Sequence, residues 1–498
     1  MLSVPISSQK IGEEERRFCF TREFQDFYRR RPSEFKRKTW GDYIHRVNFQ
    51  RIRSFLPQKA RILAIGPRVA LFASPQLNLE GCGIDPYLDS KNLAGRPGFQ
   101  LFHRLEDLDR IHDRFDYIVL SFSIGMVEDI LESLLSLRRF CHPRTRFIIT
   151  YYNRIWQPAI KLAEALGLKP KTPAMNWVPI EKIEHFMNLA DIQIIQHNAF
   201  CLMPLNIPFL SNAINKFIAN LPFLDLLGVL SVVLGRIVNL KEPEAASEIK
   251  EPKVSVIVPA RNEAGNIREV VKRIPQFPGG TEIIFVEGGS SDGTRETIQQ
   301  TIDENPRLDI LFLTQEGKGK KDAVKKGFDA ATGDILAIVD ADITVPPESL
   351  TLFIDCILNG KGEFINGSRM VYPMRGKAMR FLNAVGNLFF SACFSYLLGQ
   401  KVDDTLCGTK VLTRNDYLNI LKNSDYFGDW DPYGDFDLLF GATHLNLKIV
   451  DLPVRYNERS YGTTSIRRWR DGLFLLKMVI IGVFKLKFHW LSLREKSS

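Results

Sequence analysis

Short apolar runs recur along the chain, each closed by a turn and most followed by a stretch with the 3.6-residue spacing of an amphipathic helix. In the first half, helices are expected over about residues 12 to 56. RILAIG (61–66) then reads as a strand, GCGIDPY (81–87) ends a second strand at Asp85, FDYIVLSFSI (115–124) is a third, EDILESLLSLRRFC (128–141) a helix and TRFIITYYN (145–153) a fourth strand. KEPEAASEIKEPK (241–253) is charged, carries two prolines and has no periodicity, which marks a linker. From Val254 the alternation resumes with VSVIVPA, the helical IREVVKRIPQF, the strand EIIFVE, the helical TRETIQQTI with Ser291 or Asp292 as its cap, and the strands LDILFLT and ILAIVD. The class is therefore α/β, with two doubly wound domains whose ligands bind at the carboxyl ends of parallel strands. The expected division is a helical extension (1–34), a first domain (35–240), the linker (241–253), a second domain (254–470) and an amphipathic tail (471–498).

Length agrees, since 498 residues exceed one ordinary core. A net charge of +9 suits phosphate-bearing ligands or an anionic membrane face, and nothing beyond it points to nucleic acid. Seven scattered cysteines without a CxxC argue against a disulfide framework or zinc site, and the charged N-terminus lacks a signal-peptide core. A cytoplasmic setting is expected, with peripheral contact at the inner face of the cell membrane. Three segments bear on that contact. LPFLDLLGVLSVVLGRIVNL (221–240) suits a membrane span or a buried strand, interrupted as it is by Asp225 and Arg236. DGLFLLKMVIIGVFKLKF (471–488) and the aromatic-rich 375–400 suit helices lying in the headgroup plane or packed in a core.

Over residues 35–240, RILAIG, GIDPY and FDYIVLSFSIGMVEDI, with NWVPIEKIEHFMNLADIQIIQ and GVLSVVLGRIV as the late helix and strands, resemble class I S-adenosylmethionine-dependent methyltransferases. The resemblance implies a Rossmann-like fold and S-adenosylmethionine held at Gly66 and Asp85. In place of that family's glycine-rich turn stands Gly66-Pro67-Arg68-Val69-Ala70, and Ala64 replaces the acidic residue usual before the glycine. Proline deletes an N–H, and Arg68 and Val69 bring side chains where glycine leaves room.

In LAIVDADITVPP (336–347), Asp340 and Asp342 end a buried run with only Ala341 between them. Side chains two apart share a face or straddle the strand exit, and two carboxylates so close repel unless a cation neutralises them. A hard dication, Mg²⁺ or Mn²⁺, shared with a diphosphate meets that need.

VSVIVPARNEAGNI, FVEGGSSDGT, GKGKKDAV, VDAD, VDDTLCGTKVLTR and GDFDLLFGA, spanning about residues 254–470, resemble the family 2 glycosyltransferases of the GT-A fold, especially the branch acting on dolichyl or polyprenyl phosphate. The resemblance implies that Pro259, Arg261 and Glu263 lie beside the nucleoside with Glu287 and Asp292, that Lys318 and Lys320 lie near the diphosphate, and that Asp340 and Asp342 are metal ligands. Asp404 and Asp435 are rival candidates for the base or acceptor-orienting acid, and Asp342 counts with the catalytic residues. Arg455, Arg459 and Arg467 suit the acceptor's phosphate oxygens. The implied reaction is metal-dependent and inverting, moving a hexose from a nucleotide-diphosphate sugar to a polyprenyl phosphate or a glycan hydroxyl. A bifunctional enzyme with a working S-adenosylmethionine site, and a non-catalytic sugar-nucleotide and protein-binding module, are the rival readings.

Overall fold

The computed structural model describes residues 17–30, 40–86, 97–167, 171–222, 224–240, 251–317, 319–372, 381–422, 434–459, 461–462 and 468–487. The chain forms two compact units, residues 1–243 and 244–498. Among the described residues each holds one seven-stranded sheet.

In the first unit the strands are β1 (Ala60–Ile65), β2 (Leu79–Ile84), β3 (Phe99–Phe102), β4 (Tyr117–Ser121), β5 (Arg146–Tyr152), β6 (Ile192–Phe200) and β7 (Leu230–Ile237), in the order β3-β2-β1-β4-β5-β7-β6. β1 to β5 are parallel, and β7 runs antiparallel to both β5 and β6, so the expected parallel sheet is mixed at this edge. Ile62, Leu63, Ala64, Ile118, Val119 and Leu120 are fully buried, so successive side chains on both faces of these strands are covered and each strand is apolar throughout. β3, with the sequence FQLF, is too short and too polar to stand out by pattern. All eight residues of β7 are buried, which makes the 221–240 run a strand rather than a span. Arg236 is tolerated there because its Nε donates to Gln193 Oε1 at 2.8 Å. No helix among the described residues is long and apolar enough to cross a membrane.

The second unit has β8 (Val254–Ala260), β9 (Thr281–Glu287), β10 (Asp309–Thr314), β11 (Ile335–Ile338), β12 (Phe364–Ser368), β13 (Lys410–Thr413) and β14 (Ile449–Pro453), in the order β10-β9-β8-β11-β13-β12-β14. β8 to β11 are parallel, whereas β13 is antiparallel to β11 and β12. This sheet too is mixed. Its parallel half points the ends of β8, β9 and β11 toward one crevice. The helix Thr294–Glu304 has Gly293 at φ 85° as its N-cap rather than the expected Ser291 or Asp292, and Asp292 Oδ1 accepts from Thr294 N at 3.1 Å from just outside the helix.

The helix Arg468–Gly482 buries Leu475 and Met478, and Gly482 lets it approach closely, since a Cβ there would lie 2.8 Å from Leu397. Its other face leaves Leu473 and Ile480 exposed, as are Phe484 in the following turn Val483–Lys487 and Leu388 and Phe389 of the helix Phe381–Leu398. One face of the helix is thus packed in the core and the other is exposed.

Candidate active site

β11 ends at Ile338, so Asp340 and Asp342 leave the sheet at its mouth rather than sharing a strand face. Asp342 is shaped by its own turn, with Oδ1 accepting from Thr344 N at 3.1 Å and Thr344 Oγ1 at 2.8 Å, and its Oδ2 receives Arg459 Nη2 at 2.5 Å. Asp340 faces Lys320 Nζ at 2.6 Å from the first turn of the helix Lys320–Ala330. Behind them Lys410, fully buried at the start of β13, donates to Cys407 O at 2.6 Å and lies 3.2 Å from Asp435 at the start of the helix Asp435–His444. Burial alone would raise the Asp340 carboxyl, but Lys320, with Lys410 and Arg369 further off, outweighs it and holds the group below its usual range. Lys320 is correspondingly pushed up, its burial outweighed by Asp340 and Asp435. Gly408 makes this closeness possible: a Cβ there would stand 2.0 Å from Asp340 Oδ2 and 2.5 Å from Lys320 Nζ.

A second group of acids lies where β8 and β9 end. Glu263 is buried, accepts from Asn266 Nδ2 at 2.6 Å and from Arg459 Nη1 at 3.2 Å, and burial raises its carboxyl against both partners. Arg459 therefore ties Glu263 to Asp342 across the crevice. Asp292 accepts from Ala264 N and Tyr461 Oη, each at 3.2 Å, and its hydrogen bonds with Thr294 outweigh desolvation to lower its carboxyl. The Tyr461 ring covers Gly265, where a Cβ would come within 2.5 Å of it. Glu287 is buried at the end of β9 with Arg295 Nε 3.7 Å away, Pro259 is half-buried within β8, and Arg261 is exposed just beyond it. Lys318 and Arg467 lie outside the described residues.

The two rival acids are both committed. Asp404 is bound at both oxygens by Arg369, Nε to Oδ2 at 2.6 Å and Nη2 to Oδ1 at 2.9 Å, and also accepts from the backbone N–H groups of Arg369 and Leu406. Burial would raise it, yet Arg369 holds it below the usual carboxylate range. Asp435 sits buried against Lys410. Beside Asp404, Asp451 accepts from Asn366 Nδ2 at 2.9 Å and from the backbone of Asp403, and burial pushes its carboxyl up to about 6. Asn366 Oδ1 and Ser368 Oγ at the end of β12 are buried without a partner. Arg455 lies over the Tyr372 ring and Arg369 over Tyr456. Sequence reasoning missed Arg369, Lys410, Gly408 and Asp451. Gly408 and Lys410 fall within VDDTLCGTKVLTR, while Arg369 and Asp451 carry no local signal.

In the first unit, Gly66 follows β1 at φ 130° with its N–H given to Ile84 O at 3.0 Å, and a Cβ there would fall 2.0 Å from Ser121 O and 2.6 Å from Ser123 Oγ. Pro67 has no N–H, and Arg68 turns to an ion pair with Asp42. Asp85 is buried just past β2, with its N–H bonded to Phe102 O at 2.9 Å.

Among the described residues no three His, Cys, Asp or Glu side chains gather as a metal site, and all seven cysteines are free.

Residues 255–415 match the family described as Glycosyl transferase family 2, and residues 33–197 match one described as Methyltransferase domain. Among curated proteins, glycosyltransferase AglJ of Haloferax volcanii is 29% identical over 221 residues, covering 44% of this chain and 68% of that protein. Dolichol-phosphate mannosyltransferase of Pyrococcus furiosus is 40% identical over 121 residues, 24% of this chain and 34% of that protein. A dolichyl-phosphate hexose transferase of Haloferax volcanii is 25% identical over 227 residues, 46% of this chain and 92% of that protein. The chain thus spans less than two thirds of the Pyrococcus relative. Of solved structures, glucosyl-3-phosphoglycerate synthase of Mycobacterium tuberculosis, crystallised with Mn²⁺, uridine diphosphate and glucosyl-3-phosphoglycerate, matches with a TM-score of 0.36 and 19% identity over 47% of this chain and 80% of that one.

Proposed function

We propose, on the premise that the second unit is a glycosyl transferase family 2 domain and the first carries a methyltransferase domain, that this chain moves a hexose from a nucleotide-diphosphate sugar to a polyprenyl phosphate, with inversion at the anomeric carbon. The observation that carries the reading is the corner beyond β11, where Asp340 and Asp342 are each balanced by a cation, Lys320 or Arg459. Two carboxylates are hard oxygen donors, so Asp340 and Asp342 fit Mg²⁺ or Mn²⁺ and would be the residues that hold it. When bound, such an ion would neutralise charge on the departing diphosphate.

The chain's own residues set the rest. Glu263, Glu287 and Asp292 line the nucleoside side, and Arg459 ties that side to Asp342. The acceptor oxygen bonds to the anomeric carbon as the bond to the diphosphate breaks, and the electron pair leaves with the nucleoside diphosphate. A hydroxyl acceptor would need a base, but Asp404 is occupied by Arg369 and Asp435 by Lys410. A phosphate acceptor is already anionic and needs cations instead, a part that Arg455, lying over the Tyr372 ring, would take. Two of the relatives are named for dolichol or dolichyl phosphate, and the exposed apolar face of the Arg468–Gly482 helix suits a lipid acceptor. Asp404 then acts as a positioning residue for Arg369.

Replacing Asp342 with Asn is expected to lower hexose transfer by on the order of a thousandfold while leaving the melting temperature unchanged. Undiminished turnover, measured with Mg²⁺ or Mn²⁺ across a panel of nucleotide sugars and polyprenyl phosphate, would reject the assignment.

Methyl transfer is not part of this reading. The N–H of Gly66 is used within the sheet, Pro67 has none, Arg68 faces Asp42, and the packing of Ser121 against Gly66 accounts for the glycine without a cofactor. These residues do not fit S-adenosylmethionine as that family's glycine-rich turn does.

A further inference from the structure

We propose that the segment joining β6 to β7 in the first unit, residues 201–229, docks this unit on an anionic lipid bilayer. The inference is independent of the transfer reading. β6 runs parallel to β5, since both are antiparallel to β7, so the chain leaves β6 at the carboxyl ends of β1, β4 and β5, where Gly66 and Ser121 lie. There it displays apolar side chains outward: Phe209 is 90% exposed, and Leu210, Phe217, Leu221, Leu226 and Leu227 are exposed as well. Trp156 Nε1 donates to Leu227 O at 2.8 Å and Asn153 Nδ2 to Leu226 O at 3.1 Å. These bonds join the segment to the stretch that begins the helix Gln157–Ala165, whose outer face adds exposed Ile155 and Leu162.

The polar groups are satisfied inward. Asn215 Nδ2 donates to Tyr43 Oη at 2.9 Å and Met203 O at 2.7 Å while its Oδ1 accepts from Met203 N, Ser211 Oγ accepts from Ile207 N at 2.9 Å, and Asn220 Nδ2 donates to Lys216 O at 2.9 Å. A segment that closes its own hydrogen bonds and turns its apolar groups out is built for an apolar partner, and an exposed patch of this extent calls for one. Charge identifies that partner. The described residues of 154–171 and 201–229 together carry four basic residues and two acidic ones, Lys216 Nζ lying 5.4 Å from the centre of the Phe217 ring. Two copies facing each other would bring these cations together, whereas anionic headgroups complement them and the bilayer interior takes the phenyl and leucyl side chains. No helix among the described residues is long enough to cross, so the element would lie in the interface plane.

The test is sedimentation of the full chain with vesicles of phosphatidylcholine, alone or mixed with phosphatidylglycerol. The native chain is expected to bind the mixed vesicles preferentially, and Phe209→Ser/Phe217→Ser, or independently Leu226→Ser/Leu227→Ser, to lower its partition coefficient at least about tenfold with the melting temperature retained, because these side chains lie outside the core. Leu473→Ser/Phe484→Ser on the C-terminal helix should leave the tenfold difference due to Phe209 and Phe217 in place, which separates this surface from the second unit's. Partition unchanged by both first-unit double variants overturns the proposal. So does a native chain that ignores anionic lipid, or one that dimerises in lipid-free buffer through contacts these variants abolish.

Discussion

At the residue scale the second unit is governed by which cation answers which carboxylate. The Asp404–Arg369 pair is 1% and 11% exposed, so removing one partner strands a buried charge. Asp404→Asn is expected to cost about 3 kcal/mol in denaturant unfolding. Joining it to Arg369→Met should recover most of that loss, whereas a base would show its loss in turnover with stability intact. Asp451 carries the opposite sign. Its carboxyl titrates near 6 in the folded state against 3.8 ordinarily, so between pH 4 and 6 the folded chain holds a proton the unfolded chain has released. Stability from this group is complete below pH 4 and is lost as pH rises through 6. The loss is about 3 kcal/mol, and unfolding of Asp451→Asn across that range should show a correspondingly flatter slope. Asp340, Asp342, Glu263 and Asp292 were legible from their motifs. Arg369 and Asp451 were not, because each meets its partner across 35 and 48 residues respectively, in Asp404 and the Asp403 amide.

Elements were legible where burial on both sides forces continuous apolarity, as in β1, β4, β8 and β9. They were less so where the pattern is short or its direction is set elsewhere. β3 escaped notice, and nothing in GVLSVVLGRIV says that β7 runs against its neighbour; that follows from the 201–229 connection returning the chain from the far end of β6. The join between elements is as demanding as the elements themselves. Gly66 closes β1 against the end of β4, at a φ of 130° and with no room for a methyl group. Gly66→Ala should therefore destabilise the first unit by about 2 kcal/mol or more, read from its melting in cofactor-free buffer. A glycine kept only for cofactor approach would tolerate the methyl group there.

For the whole molecule, two sheets on one chain do not imply two reactions, because a fold does not carry its chemistry with it. Titration of the full chain with S-adenosylmethionine is expected to give no binding heat, and hexose transfer to be unchanged by it; saturable heat would restore the bifunctional reading. By itself the sequence determined that there are two α/β units, where the parallel strands β1, β2, β4, β5 and β8 to β11 lie, and that acids collect at the strand ends of the second, since apolar periodicity and motif spacing are local properties of the chain; β3 and β12 to β14 did not stand out. Only the tertiary structure decided that both sheets are mixed, that Asp404 and Asp435 are already neutralised, and that residues 201–229 turn their apolar side chains outward. Each of these depends on which distant segments meet, and pairing across the chain is written in no single stretch of it.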